Sequence, residues 1–405
     1  MSHADRAPRR AEGRSVVLKP GREKPAQKRH PWIFSGAIES IGDELENGAV
    51  ADVTSSRGEF IARGMVSLRS QITVRVLSFA SDEKVDAAFW ERRLARAFGA
   101  RPGTSAARCV NAESDGLPGL VVDRYAGFLV IQASTAGIER HKAEIVSALE
   151  RVASPRGIYE RSDVDGRDKE GLAPSTGLLA GEEPPEFLEI REPSHDGSAV
   201  TLLVDVRNGH KTGTYLDQAE NRRIVTASAK DRDVLNVFSY AGAFALHAAR
   251  AGARRIVNVD SSSRALELSE RTAALNGFGG LFEHVRSDAF EELRRLREAG
   301  ESFDLVIIDP PKLSRSAGQV ERAARAYKDL SRVAMHVTRP GGFLATFSCS
   351  GAVSSDLFQK IVWSASLESG RDAQMVARLG QASDHPVLLT FPEGEYLKGL
   401  FCRIW

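Results

Sequence analysis

The sequence predicts an α/β protein in which a small β domain and a small α+β domain precede a parallel, doubly wound sheet. From Asp231 onward, apolar strand-like runs alternate with amphipathic helical runs, a pattern typical of a parallel sheet covered by helices. Before residue 81, short alternating runs separated by glycine and polar turns indicate a β-barrel-like domain. The predicted divisions are a disordered tail (1–13), the β domain (14–81), the central domain (82–206) and the sheet domain (207–405).

The first two domains contain short elements. The β domain is predicted to have strands at 15–18, 49–53, 60–66 and 71–77. The central domain is predicted to have helices at 85–98 and 138–152, and strands at 119–123, 128–132, 157–160 and 199–206. Residues 166–196, rich in Gly, Pro and Glu, are predicted to be loop. Within them, Ser194-His195-Asp196 has the residue types of a hydrolase triad but is expected to be a turn, because triad members meet in space rather than along the chain.

The last domain repeats a strand–helix unit. Strands are predicted at 234–238, 255–260, 282–286, 303–309 and 342–347, with two more near 374–379 and 397–404. The predicted helices cover 242–251, 263–276, 290–299, 320–337 and 356–367. In an open sheet of this kind, ligands bind in the crevice at the carboxyl ends of the strands.

Composition narrows the class of protein. The 405 residues are 42% hydrophobic and 27% charged, ordinary values for a globular protein, and the net charge of +1 does not indicate a polyanion partner. Three widely spaced cysteines exclude a disulfide scaffold and a metal site built from cysteine pairs, and they fit a reducing cytosol. We expect no membrane span and no secretory signal, because no apolar run is long enough and the first dozen residues are polar. The expected location is therefore the cytoplasm.

Positive charge is concentrated near the N-terminus. Between Arg14 and His30 the only acid is Glu23, against six lysines and arginines. Such a stretch suits neutralisation of nucleic-acid phosphates, although by itself it also fits a solvated terminus. The candidate nucleic-acid-binding residues in and beside this stretch are Lys19, Arg22, Lys24, Lys28, Arg29 and Trp32.

The first strand of the sheet domain leads into a turn with small residues, Ser239-Tyr240-Ala241-Gly242. Small residues allow a ligand to approach the backbone, and the following helix N-terminus favours an anionic group. The turn does not match G-x-G-x-x-G, which disfavours a dinucleotide. Asp260 ends the second strand and Asp288 follows the third, where a carboxylate can bind ribose hydroxyls or an amino group, or can simply cap a helix.

This order of elements resembles the class I S-adenosylmethionine (SAM)-dependent methyltransferases. The resemblance implies that the first turn holds the methionine portion, that Asp260 holds the ribose and that Asp288 contacts the adenine. The cofactor-binding residues it predicts are Phe238, Tyr240, Ala241, Gly242, Asp260, Ser261, Asp288, Ala289, Asp309 and Gln218.

Two further strand ends suggest the chemistry. The fourth strand ends in Asp309-Pro310-Pro311-Lys312, where two prolines fix the turn and present the acid rigidly. Enzymes that methylate amino groups commonly have an aromatic residue where this chain has Lys312. The fifth strand ends at Cys349, which has the residue type and location for a thiolate that attacks a pyrimidine ring. The residues alone leave open whether Cys349 is this nucleophile or a small buried hydrophobic residue.

Several longer motifs are similar to a narrower family, the ribosomal RNA large-subunit methyltransferase I family, whose members methylate carbon 5 of a cytosine in 23S rRNA. The resemblance covers about residues 16–405. Its motifs lie at residues 18–24, 29–38, 113–120, 161–163, 210–218, 221–222, 309–312, 327–330, 347–350 and 385–389.

The resemblance to this family implies a PUA domain, a central α+β domain and a Rossmann-like catalytic domain. It also implies SAM as cofactor, 23S rRNA (free or in a ribosomal precursor) as partner, and Cys349 with Asp309 as catalytic residues. The chain departs from relatives at Ala219, where many have arginine. It also has no second cysteine after the Asp309 turn to assist product release.

Two alternatives remain at the level of sequence. Methyltransferases with the same fold act on other base atoms, such as a guanine nitrogen. If this chain is one of them, Cys349 is structural. The second alternative is a non-catalytic RNA-binding or assembly factor. The presence of the acids Asp260, Asp288 and Asp309 counts against this alternative. The oligomeric state stays open, with a homodimer compatible with the sequence.

Overall fold

The computed structural model describes residues 13–101, 103–314 and 316–405. Apart from Gly13, the predicted disordered tail lies outside the described residues. The chain forms two compact units. The first runs to Leu188 and includes Asp205–Thr214 and Asp384–Gly394, and the second comprises Glu189–Val204, Tyr215–Ser383 and Glu395–Trp405. Within the described ranges, no helix is both long enough and apolar enough to cross a membrane.

A six-stranded sheet opens the first unit, in the order β2-β6-β5-β4-β1-β3. Its members are β1 (Ser15–Leu18), β2 (Trp32–Phe34), β3 (Ile38–Ile41), β4 (Val50–Thr54), β5 (Phe60–Val66) and β6 (Ile72–Ser78), with the short helix α1 (Lys24–Gln27). Four of these strands were predicted. The sequence did not indicate β2 and β3, which have three and four residues and bury few side chains.

A second sheet in this unit has the order β11-β10-β9-β8-β7. Its strands are β7 (Ala106–Asn111), β8 (Leu120–Tyr125), β9 (Phe128–Ala133), β10 (Gly157–Ser162) and β11 (Ser175–Gly181). The helices α2 (Ala87–Gly99), α3 (Ala136–Arg140) and α4 (Lys142–Ala153) accompany it. The predicted helix 138–152 is thus divided at His141, the residue between α3 and α4.

The prediction that residues 166–196 are loop is wrong. They contain β11 and also β12 (Leu188–Pro193), which pairs with β13 (Ala199–Val204). β11 is an edge strand with a composition typical of a loop. It forms a strand because its backbone is hydrogen-bonded to β10. The residues joining β12 and β13 do form the expected turn, in which Asp196 Oδ1 accepts the Ser198 backbone N–H at 3.0 Å.

The second unit is built on a seven-stranded sheet in the order β16-β15-β14-β17-β18-β20-β19. Its strands are β14 (Asp233–Val237), β15 (Arg255–Asp260), β16 (Phe282–Arg286), β17 (Phe303–Ile308), β18 (Thr338–Ser348), β19 (Ala373–Gly380) and β20 (Lys398–Ile404). The helices are α5 (Ala219–Thr226), α6 (Ala243–Arg250), α7 (Ser263–Leu275), α8 (Ala289–Glu298), α9 (Val320–Val337) and α10 (Ser355–Ser369).

The predicted parallel direction is confirmed for β14 to β18, and β19 runs in the same direction, so that only β20 among these seven strands departs from it. β20 runs antiparallel to both β18 and β19. A parallel return requires a crossover, usually a helix, and the segment between β19 and β20 contains only the 3₁₀ turn Pro392–Gly394.

Both faces of this sheet are buried. Val306 and Ile308 enter one hydrophobic cluster, whereas Leu305 and Ile307 enter another. Because successive strand residues point to opposite faces, this alternation shows core on each side of β17. Polar groups therefore collect at the strand ends, where the predicted site lies.

Candidate active site

The turn after β14 is the first part of the site. Three of its residues have left-handed backbone conformations, Phe238 (φ 60°), Tyr240 (φ 47°) and Gly242 (φ 73°). Such values are uncommon for residues with bulky side chains and cluster at functional sites. The Ser239 N–H donates to the Val259 carbonyl at 3.0 Å, which ties the turn to β15.

Gly242 is required by packing against the protein itself. A Cβ atom there would lie 2.1 Å from Ser269 Oγ of α7, and the positive φ adds strain to any other residue. Small residues in this turn were expected to allow a ligand to approach the backbone, whereas the close neighbour of Gly242 is helix α7. Ala241 lies beside it in the same turn.

Asp260 joins this turn to the end of β15. Its Oδ2 accepts the Tyr240 N–H at 2.8 Å, and its Oδ1 accepts the Ser262 N–H at 2.9 Å. Each carboxylate oxygen has a second lone pair, so the fixed group can still accept bonds from ribose hydroxyls. Ser261 is exposed beside it.

Asp288 follows β16 and is the N-cap of α8. Its Oδ1 accepts the backbone N–H groups of Phe290 and Glu291 at 2.9 and 3.2 Å. Asp288 is exposed, whereas the Ala289 methyl is buried in the core. The contact of Asp288 with an adenine and the binding of the cofactor by Ala289 remain predictions.

Asp309 is held by residues from a distant part of the chain. The Asp309 N–H donates to the Val237 carbonyl at 3.4 Å, which places the acid beside the turn after β14. Gln218 Nε2 donates to Asp309 Oδ2 at 3.0 Å, and Asn221 Nδ2 donates to Gln218 Oε1 at 2.6 Å. The structure thus brings together Gln218 and Asp309, which the resemblance assigns to the cofactor site.

A buried ion pair supports this segment. The Arg222 guanidinium donates to both oxygens of Glu192 at 2.6 Å, and its Nη1 donates to the Tyr215 carbonyl at 3.0 Å. His247 Nε2 lies 2.8 Å from Glu192 Oε1. Burial alone would raise the pKa of Glu192, but Arg222 and His247 outweigh it and hold that pKa well below its usual range.

Cys349 immediately follows β18 and is half-buried. Its Sγ lies 4.0 Å from the Pro310 carbonyl oxygen, so the thiol and the Asp309 turn belong to one site. The other two cysteines are buried, and burial raises the pKa of Cys109 to about 12 and of Cys402 to about 11. Cys349 is therefore the accessible thiol among the three.

Two tyrosines lie beside these groups. The rings of Tyr215 and Tyr240 meet edge to face, with centroids 5.6 Å apart. Burial, reinforced by the charge of Asp309, raises the pKa of Tyr215. The site therefore has aromatic rings near Asp309, although Lys312 replaces the aromatic residue that amino-group methyltransferases commonly have there.

Sequence reasoning missed Lys398, the first residue of β20. It is buried, and its Nζ donates to the carbonyls of Ser350 and Val353 at 2.9 and 2.6 Å, just beyond Cys349. The available signal was a lysine inside the otherwise apolar run from Leu397 to Cys402.

The predicted RNA-binding residues lie in the first unit. Trp32 is half-buried, and its indole N–H donates to Glu113 Oε1 at 2.8 Å. Its ring packs edge to face on Phe391 at 4.7 Å. The basic candidates are all exposed: Lys19, Arg22, Lys24, Lys28 and Arg29.

Comparisons with known proteins agree with this geometry. A family model described as a PUA-like domain matches residues 16–79, and one described as an S-adenosylmethionine-dependent methyltransferase matches residues 176–388. A structure described as a candidate SAM-dependent methyltransferase from Streptococcus mutans superposes with a TM-score of 0.81 at 22% identity, covering 96% of this chain and 99% of that one. This likeness supports the fold.

Sequence relatives are closer. Proteins named Ribosomal RNA large subunit methyltransferase I from Shewanella amazonensis and Tolumonas auensis are each 46% identical, over 96% of this chain and 99% of theirs. The one from Klebsiella pneumoniae (strain 342) is 44% identical, over 96% of this chain and 98% of its own. The fixed carboxylate of Asp260 and the Gln218–Asp309 pair suit SAM, which is the cofactor of this family. The chain belongs to the ribosomal RNA large subunit methyltransferase I family of S-adenosylmethionine-dependent methyltransferases.

Proposed function

We propose that this protein methylates carbon 5 of a cytosine in 23S ribosomal RNA, with Cys349 as the nucleophile. The observation that carries the proposal is the position of Cys349 Sγ, 4.0 Å from the carbonyl of Pro310 in the Asp309 turn. A thiol and a carboxylate at neighbouring strand ends can act on the same base. The names of the relatives support ribosomal RNA as the substrate.

The chemistry explains why a thiol is needed. Carbon 5 of cytosine is a poor nucleophile, and addition of the Cys349 thiolate to carbon 6 makes carbon 5 enamine-like. Bound SAM supplies an electrophilic methyl group. A general base of the enzyme then removes the proton from carbon 5. The electron pair of that C–H bond expels the thiolate from carbon 6. Asp309, oriented by Gln218 at 3.0 Å, would bind the base edge and support charge at the ring nitrogen.

The N-terminal domain would bind the RNA. Its exposed basic side chains can neutralise phosphates without reading sequence. The target base would be unstacked and extruded to reach Cys349, as in other enzymes that act on bases.

Trapping with 5-fluorocytidine tests the nucleophile. With fluorine at carbon 5 there is no proton to remove, so the adduct between enzyme and RNA persists. Wild-type protein with SAM and 5-fluorocytidine-containing rRNA should form a covalent complex, and Cys349→Ser should form none. Cys109→Ser, which changes a buried cysteine, is the matched control and should still be trapped.

Mass mapping of rRNA gives the product. A strain carrying Cys349→Ser in place of the wild-type protein should lose one methylated cytosine. If instead Cys349→Ser retains turnover and a methylated guanine is found, the enzyme acts on another base atom and Cys349 is structural. An unchanged cytosine pattern would also reject the proposed role of Cys349.

A further inference from the structure

Lys398 is a buried charged residue that the proposed reaction does not use. It pairs directly with Ser348 across the antiparallel strands β18 and β20, and Ser348 is the residue before Cys349. Lys398 is only 5% exposed. A buried ammonium is costly unless it is paired, so its position next to a candidate nucleophile needs a reason.

The Lys398 ammonium is hydrogen-bonded to the loop that follows Cys349. Nζ donates to the Ser350 carbonyl at 2.9 Å and to the Val353 carbonyl at 2.6 Å. From the other side, Ser350 Oγ accepts the Ser314 N–H at 3.1 Å. Within the described part of the chain, no carboxylate lies at ion-pair distance from Nζ, so the buried ammonium is hydrogen-bonded to carbonyl groups and is not directly paired with an acid.

We propose that Lys398 is a positioning residue that fixes the loop after Cys349 and supplies the positive charge that stabilises the Cys349 thiolate. The inference rests on the proposed role of Cys349 as nucleophile. It also gives the buried ammonium a counter-charge, since an anion forms beside it when the thiol ionises.

Among the described residues near the thiol, the tyrosines and Asp309 do not supply that charge, and the Lys312 side chain in the adjoining turn is exposed to solvent. Tyr215, and Tyr327 of α9, interact electrostatically with Cys349, and burial raises the pKa of both, so they are neutral near pH 7. The adjoining turn carries the Asp309 carboxylate, which opposes a second anion. Burial lowers the pKa of Lys398, while negative charge at Glu395 and at Cys349 counteracts part of that effect.

The test is the pH profile of thiol alkylation on the full-length protein without RNA. Iodoacetamide rates at Cys349 are measured from pH 6 to 10 by mass spectrometry, with Cys349→Ser as the blank. The wild-type inflection should lie below the ordinary cysteine value of about 8.5. Lys398→Met should raise it by at least about one pH unit. Near pH 7 the thiolate fraction then falls about tenfold, and greater nucleophilicity offsets part of this, so the rate falls roughly threefold.

Two variants separate charge from packing. Lys398→Arg keeps the charge and should keep a lowered inflection. Lys360→Met removes an exposed lysine of α10 and should match wild type. A folded Lys398→Met with an unchanged inflection would overturn the inference. If that variant does not fold, a wild-type inflection at or above the ordinary value overturns it as well. Because no RNA is used, either failure can occur while fluorocytidine trapping still succeeds, which separates this inference from the proposed function.

Discussion

Replacement of Arg222 by methionine should be among the most destabilising single changes in the second unit. The change removes two 2.6 Å hydrogen bonds to Glu192 and one of 3.0 Å to the Tyr215 carbonyl. Glu192 is only 6% exposed, so its carboxylate would remain buried with His247 alone. Removing one partner of such a pair costs about 3–5 kcal/mol. That is a large part of the total stability of a domain, about 5–15 kcal/mol.

The loss of unfolding free energy in Arg222→Met should depend on pH in a defined direction. In the wild type, the folded-state pKa of Glu192 is depressed. Its contribution is therefore present above the unfolded value of about 4.3 and is lost as the pH falls through the folded pKa. Without Arg222, burial raises the pKa of Glu192, and the folded state then favours the neutral acid. The deficit of the variant should accordingly be larger at pH 8 than at pH 5.5.

Urea unfolding followed by circular dichroism measures the free-energy change, and hydrogen exchange in peptides from Glu189–Val204 assigns it to the second unit. Arg254→Met is the control, because its side chain is 61% exposed in its pair with Asp233 and should cost under about 1 kcal/mol. The double variant Arg222→Met with Glu192→Leu should recover much of the loss, since both charges are gone. Equal stability of Arg222→Met and Arg254→Met, or a double variant less stable than the single one, would refute the reasoning.

Two further predictions concern the cofactor turn and the RNA surface. Gly242→Ala places a Cβ 2.1 Å from Ser269 Oγ at a positive φ. The free energy of unfolding should therefore fall by more than about 1 kcal/mol, and calorimetry should show weaker binding of SAM. Gly280→Ala, which meets nothing within 4 Å, should match wild type in both measurements. Arg22→Gln should lower the slope of log affinity for rRNA against log salt by about 0.7–0.9, whereas Lys360→Gln on α10 should not, and equal slopes would remove Arg22 from the RNA surface.

The strand ends of the candidate site were predictable because their signals are local. Apolar runs that stop at Asp260 and Asp309 mark buried strands ending at a polar turn, and the structure ends β15 at Asp260 and β17 one residue before Asp309. The period of hydrophobic residues depends only on neighbouring positions, so it can be read from the chain. The same reasoning missed β2, β3 and β7, and it assigned β11 and β12 to a loop. Short or edge strands form through partners elsewhere in the chain.

The sequence by itself determined the order of strands and helices, the polar residues at the strand ends and the resemblance that identifies the cofactor. Only the tertiary structure decided which of these residues meet. Gln218 reaches Asp309 across 91 positions, Arg222 reaches Glu192 across 30, and Lys398 reaches Ser350 across 48. These contacts depend on the spatial order of the strands, with β20 inserted antiparallel between β18 and β19. No local pattern encodes that order, because it is set by the burial of both faces of the sheet as a whole.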